Sequence, residues 1–345
     1  MLHHGRVELP YLTADMPGIG GVLRAQPEDF VVDEVPAYPA SGTGDHVFVR
    51  IEKRGINTAE AVRRIARVVG VNDRDIGVAG MKDRHAVTRQ WISLPPPVTP
   101  EQALAFEDPE SSVLEAVRHN HKLRTGHVKA NRFVLRVRDA VPNVQDALER
   151  ATKILAVLAK APGTPNWYGE QRFGRDGDNA ERGRRIVLGE DKPPRDKKLA
   201  RLLVSALQSE LFNRWLAARM AEGLYTRVLA GDVLHKVGGG MFTCEDAATD
   251  EARLGNGELM LTGPMFGVDM RAAAGEAGER EAAVLAPLTR ESFASVSRIA
   301  EGTRRDATIL IGEPSVAAVD ETLEVRFALP GGAYATAVMR ELMKC

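Results

Sequence analysis

The chain has 345 residues, 46 Lys and Arg against 47 Asp and Glu, 44% hydrophobic residues and two cysteines. That is length for about two domains, and the composition excludes disordered, collagen-like and coiled-coil chains, while two cysteines are too few for a disulfide scaffold or a four-cysteine zinc site. No apolar run is long enough to span a membrane and the first eight residues lack the apolar stretch of a signal peptide, so a cytoplasmic protein is expected.

The first part of the chain alternates short strands and helices. Residues 29–35 and 46–52 read as strands, the second with Val47, Val49 and Ile51 on one face. Asn57 opens a capping box with Glu60, and Val62, Ile65, Ala66 and Val69 recur at helical spacing until Gly70 closes the helix. Strands are predicted over 75–79 and 87–94, joined by a turn holding Gly80, Met81, Lys82, Asp83 and Arg84. Residues 131–138 alternate strictly: Phe133, Leu135 and Val137 face one way, Arg132, Val134, Arg136 and Arg138 the other. Asn143 caps an amphipathic helix ending near Lys160. The run Ala161, Pro162, Gly163, Thr164, Pro165 punctuates the chain there. A long helix is predicted over 198–222, a mobile Gly/Ala/Glu-rich connection over 255–281, and a strand over 322–329 before a terminal helix. The closing strand resembles the first part more than the middle, which reads as one α+β domain interrupted by an insertion.

Near-neutral net charge hides a strong asymmetry. Between Arg118 and Arg138 stand seven Lys/Arg, three His and no carboxylate, and ten Lys/Arg face six Asp/Glu between Arg172 and Arg201. One basic face is what a polyphosphate ligand attracts. No phosphate-binding P-loop, dinucleotide fingerprint, metalloprotease helix or serine-hydrolase elbow occurs. His119 and His121, ringed by Arg and Lys, read as phosphate contacts rather than metal ligands. Catalysis is therefore expected from ordinary acid, base or nucleophilic groups, with no cofactor and no metal.

The run Ala79-Gly80-Met81-Lys82-Asp83-Arg84-His85-Ala86-Val87-Thr88-Arg89-Gln90 resembles the signature of the TruD family of tRNA pseudouridine synthases. Five further segments agree in order: Pro27 to Phe30, Asn131 to Phe133, Asn166 to Gly174, Phe327 to Thr336 and, more weakly, Ser205 to Asn213. Two positions depart from the family pattern: Ala130 stands where Gly is usual, and Gln208 where Arg is frequent. The resemblance implies a pseudouridine-synthase catalytic domain, a mixed and mainly antiparallel sheet flanked by helices, over 1–163 and 291–345. It also implies an inserted TRUD domain over 164–290.

By the same resemblance Asp83 is the catalytic aspartate, acting as nucleophile or base on a sugar of oxocarbenium character. Arg24, three residues before the Pro-Glu-Asp-Phe segment, is expected to hold and ionise it. Lys82 is expected on phosphate, Phe133 to stack on a flipped uracil, Asn131 to read its edge, and Phe30 and Phe327 to line the substrate site. The implied partner is tRNA, the implied target uridine 13 of the D arm, and the protein is expected to act as a monomer. A structured-RNA binding protein or RNA chaperone whose catalytic activity is secondary or lost is the alternative; Arg24, Lys82 and Asp83 together favour the enzyme.

Overall fold

The computed structural model describes residues 8–345; the stretch in which no leader is expected lies partly outside them. The chain packs as two compact units. One takes 16–156, 311–335 and 342–345; the other takes 157–310 and 336–341 together with the described residues up to Asp15.

The first unit is built on a ten-stranded sheet. Its main path runs Gly312–Val319, Thr322–Pro330, Val128–Arg138, Phe30–Pro36, Val87–Leu94, His46–Arg54, Ser111–His119 and Glu107–Asp108. Every pairing is antiparallel except one: Phe30–Pro36 runs parallel to Val87–Leu94, with Val31 beside Val87. This mixed, mainly antiparallel sheet is the expected fold class. The parallel pair brings the starts of two strands to one end of the sheet, and so brings Arg24 and Asp83, which precede those strands, to the same place. Register then carries one face across the sheet as a row: Phe327 opposite Phe133, Phe133 opposite Val32, Val32 beside Thr88, Thr88 opposite Lys53.

The helix Thr58–Val69 begins and ends as its sequence predicts. Asn57 accepts from the Glu60 amide at 2.8 Å, and Gly70 stops it at φ 73°, where a side chain would be strained. Its Ala61, Val62, Ile65 and Ala66 pack with Val47, Val49, Ile51, Ile92 and Leu94 in one core. The predicted 75–79 strand is only Gly77–Val78, because the 3₁₀ turn Asp73–Asp75 occupies its start.

In the second unit the helix Lys197–Ala221 lies against the strand Leu259–Met265, part of a four-stranded sheet with Met241–Thr243, Val233–Lys236 and Thr303–Asp306. Residues 237–240, with the Gly238–Gly240 run, make the turn between Val233–Lys236 and Met241–Thr243. The stretch 255–281, expected as a mobile connection, holds that buried strand and most of the helix Gly275–Leu285. Its small residues have a packing reason: a Cβ on Gly263 would fall 2.5 Å from the Trp215 ring. The unit runs on to 310, since Thr303–Asp306 pairs with Leu259–Met265, and Thr308–Ile309 with Thr164–Pro165.

Candidate active site

The site-forming face follows from strand register. Phe327 lies directly opposite Phe133, and Phe30 one pair further along, opposite Leu135. Side chains two apart share a face, so the three rings must meet. They do: Phe133 is 5.4 Å from Phe327 and 6.1 Å, edge-on, from Phe30. All three are buried. They pack chiefly on one another, so any stacking surface is the uncovered part of Phe133 rather than three open rings. The Arg24 guanidinium caps the cluster, 3.9 Å above the Phe30 ring centre.

Arg24 also reaches Asp83, Nη2 to Oδ2 at 2.9 Å. The Asp83 side chain is 50% exposed, so the carboxylate is oriented yet open to a ligand. Its loop, residues 79–86, has no regular structure, and outside groups tie its main chain. Gly126 N donates to Ala79 O, Gln90 Nε2 to Gly80 O, Lys82 N to Thr58 Oγ1, Lys53 Nζ to Asp83 O, and Gly55 N to Ala86 O.

Lys82 departs from its expected role. Its ammonium is 2.5 Å from Glu34 Oε2 and its side chain only 9% exposed, so it does not project toward a phosphate. The cause is Glu34, a carboxylate on the same strand face as Phe30 and Val32 and wholly buried. A buried charge requires a partner, and Lys82 with the Trp91 amide (3.0 Å) supplies it. Asn131 is opposite Glu34 in register, hence on the ring-bearing face. Its Oδ1 and the Nε of Arg24 are buried polar atoms without a hydrogen-bond partner.

The Asp29 of the Pro-Glu-Asp-Phe segment explains that motif. Pro27 starts a 3₁₀ turn, Asp29 accepts from the Gln26 amide, and Arg138 grips its carboxylate from two nitrogens. Burial pushes the Asp29 carboxyl up, but the Arg138 and Gln26 bonds outweigh it and hold it below its usual range. The basic strand is thus partly neutralised: Arg132 pairs with Glu313, Arg136 with Glu324 and Arg138 with Asp29. His119 is no phosphate contact either. It is buried, its ring 3.7 Å from that of Phe48, and Nδ1 accepts from Ser41 N. Burial, with His121 and His46 nearby, lowers its pKa. Among the described residues no three His, Cys, Asp or Glu are placed to hold a metal.

The structure therefore brings together all seven expected site residues, Arg24, Phe30, Lys82, Asp83, Asn131, Phe133 and Phe327, in one unit. It adds Glu34, Lys53, Thr58 and Gln90. Glu34 had a signal in the sequence, a lone acid in the apolar phase of an alternating strand. Lys53 had the same signal two strands over in the sheet, in phase with Val47, Val49 and Ile51.

A half-exposed carboxylate held by a guanidinium beside packed rings, next to the one parallel strand pair of a mainly antiparallel sheet, makes a site suited to sugar or base chemistry. The model of the family tRNA pseudouridine synthase D (TruD) matches residues 6–192 and 195–342. The chain belongs to that family. It is 51% identical to the tRNA pseudouridine synthase D of Anaeromyxobacter dehalogenans strain 2CP-1, over 98% of this chain and 97% of the relative. It is 44% identical to a tRNA pseudouridine synthase D of Thermus thermophilus, over 97% and 92%. The crystal structure of a Methanosarcina mazei protein named TruD shares the fold, with a TM-score of 0.77, 23% identity and 96% and 95% coverage. Among the described residues no helix is long and apolar enough to cross a membrane.

Proposed function

We propose that the protein isomerises uridine to pseudouridine in tRNA, at position 13 of the D arm, with Asp83 as the catalytic residue. The observation that carries this is the Asp83 carboxylate, half-exposed and fixed by Arg24 at 2.9 Å, in a chain of this family. The reaction breaks the bond from the sugar C1′ to N1 and forms one from C1′ to C5; C5 gives up a proton and N1 gains one. No water is consumed and no electron changes hands, so one carboxylate suffices as nucleophile or base. Glu34, the other carboxylate on this face, is spoken for by Lys82.

The target base must leave its stack to reach Asp83. Phe133 offers it the uncovered part of its ring, and the unpartnered Oδ1 of Asn131 is an acceptor suited to an imide N–H of uracil. Phe30 and Phe327 act by holding Phe133. Phosphate contact falls to Arg118, Lys122, Arg124 and Lys129 rather than to Lys82. We assign the inserted TRUD domain to the 157–310 unit, whose Arg172–Arg201 stretch contacts the tRNA backbone. The protein works in the cytoplasm as a monomer, without a small-molecule cofactor.

The test is to map pseudouridine in tRNA treated with purified protein, wild type and Asp83→Asn. Modification at position 13 by wild type alone is expected. Equal modification by the Asn variant, or none by either, overturns the reading.

A further inference from the structure

Lys53 is the one lysine on the apolar face of its strand, in phase with Val47, Val49 and Ile51, and it is 0% exposed. Volume alone would be filled as well by Met, without burying a charge. Its ammonium makes two hydrogen bonds, both to main-chain carbonyls: Ile56 O at 2.8 Å, in the turn after its own strand, and Asp83 O at 2.7 Å, thirty residues on. It thus reaches from a core position to the residue that carries the half-exposed carboxylate. Thr58 and Gln90, also buried, hold the loop just before that contact, at Lys82 N and Gly80 O, and just after it Arg84 Nε gives a bond to Gly55 O at 3.1 Å. Lys53 lies in the transverse row that ends in Phe133 and Phe327, so one sheet face sets both the ring cluster and the loop opposite it.

We propose that Lys53 is a positioning residue for the reaction: its buried ammonium clamps the Asp83 main chain to the sheet and so fixes the carboxylate relative to Phe133. This rests on the reading of Asp83 as the catalytic group. A rigid placement matters because a misplacement of about 1 Å costs about a hundredfold in rate. The clamp is charge-assisted, and charge-assisted bonds are the stronger kind. Burial brings Lys53 down to about 8; Asp83 pulls it up and Lys82 pushes it down, while its register neighbours Thr88 and Ser111 carry no charge. The clamp therefore weakens as pH climbs through that value.

Single-turnover conversion of a tRNA transcript, followed from pH 6.5 to 9 for wild type, Lys53→Met and Lys53→Arg, tests the proposal, with tRNA Kd measured alongside. Wild-type conversion at pH 7 is the control on the reading itself: its failure refutes the activity, whereas the comparisons below judge the clamp. The Met variant should lose about thirtyfold or more in rate, within the range for misplaced catalytic groups, with tRNA Kd unchanged. Wild type should slow as pH passes about 8, and the Arg variant, charged throughout, should keep its rate there. A Met variant that converts tRNA at the wild-type rate overturns the proposal. If the Met variant does not fold, the other two profiles decide, and identical alkaline limbs in wild type and Lys53→Arg overturn it.

Discussion

Arg24 holds Asp83 through a 2.9 Å ion pair from a backbone in the left-handed region, φ 65°, which non-glycine residues seldom adopt. The guanidinium is held twice, its face over the Phe30 ring and Nη2 on the carboxylate. Strain of that kind persists where the surroundings impose it, commonly at functional sites. Arg24→Lys keeps the charge but loses the planar fork and the stack. It should lower the conversion rate about tenfold or more, a loss on the order of 1.4 kcal/mol in the barrier, with tRNA affinity retained. Single-turnover kinetics beside a binding isotherm will show it; an unchanged rate would leave the pair without a catalytic part.

Phe133→Ala removes the middle ring of a buried three-ring cluster. The cost to the fold should be about 3–5 kcal/mol, the range for a large core aromatic, whereas a ring that only stacked on the base would cost the fold little. Urea unfolding of the variant checks this. A loss below about 1 kcal/mol would mean that Phe30 and Phe327 do not depend on it.

Glu34 and Lys82 should behave as a unit. Either Glu34→Gln or Lys82→Met leaves a buried or nearly buried charge without its partner, expected to cost about 3–5 kcal/mol. The double variant should cost clearly less than the sum of the two. A double-mutant cycle by denaturant unfolding measures the coupling, and simple additivity would contradict the pairing.

Asp29 supplies an acid-sensitive element. Its folded pKa is depressed below the usual aspartate value, so its contribution to stability is fully present only well above the ordinary carboxyl value of about 4. It is lost as pH falls through the depressed value, because the unfolded state then takes up the proton first. Asp29→Asn should therefore flatten the fall in stability as pH drops below the ordinary aspartate value of about 4. Parallel acid-unfolding curves for the two proteins would show that the Arg138 grip contributes nothing.

Salt dependence reports the phosphate contacts. Ion pairs engage Arg132, Arg136 and Arg138, whereas Lys122 gives a hydrogen bond to Arg74 O and Arg124 is exposed. Replacing Lys122 and Arg124 by Gln should flatten the slope of log K against log salt by about one to two units. The same change at Arg132 and Arg136 should move it less. Equal effects would show that the ion pairs open on binding.

Much of this protein is legible from residue order, where the physics is local. Asn57 and Gly70 bound a helix because capping involves only neighbours along the chain. The 87–94 strand and the alternation within 131–138 follow from period-two patterning, and the motif around Asp83 carries the family resemblance. Tertiary structure decided what depends on partners distant in sequence. Lys82 looked like a free cation until Glu34, 48 residues away, claimed it. Arg132, Arg136 and Arg138 made a basic stripe until Glu313, Glu324 and Asp29 came beside them. The 255–281 stretch looked mobile because Gly and Ala predict little by themselves; against Trp215 and Phe212, Gly263 is a residue small enough to pack. Composition records charge and size one residue at a time, whereas burial and pairing are properties of the surroundings, and only the folded sheet supplies those.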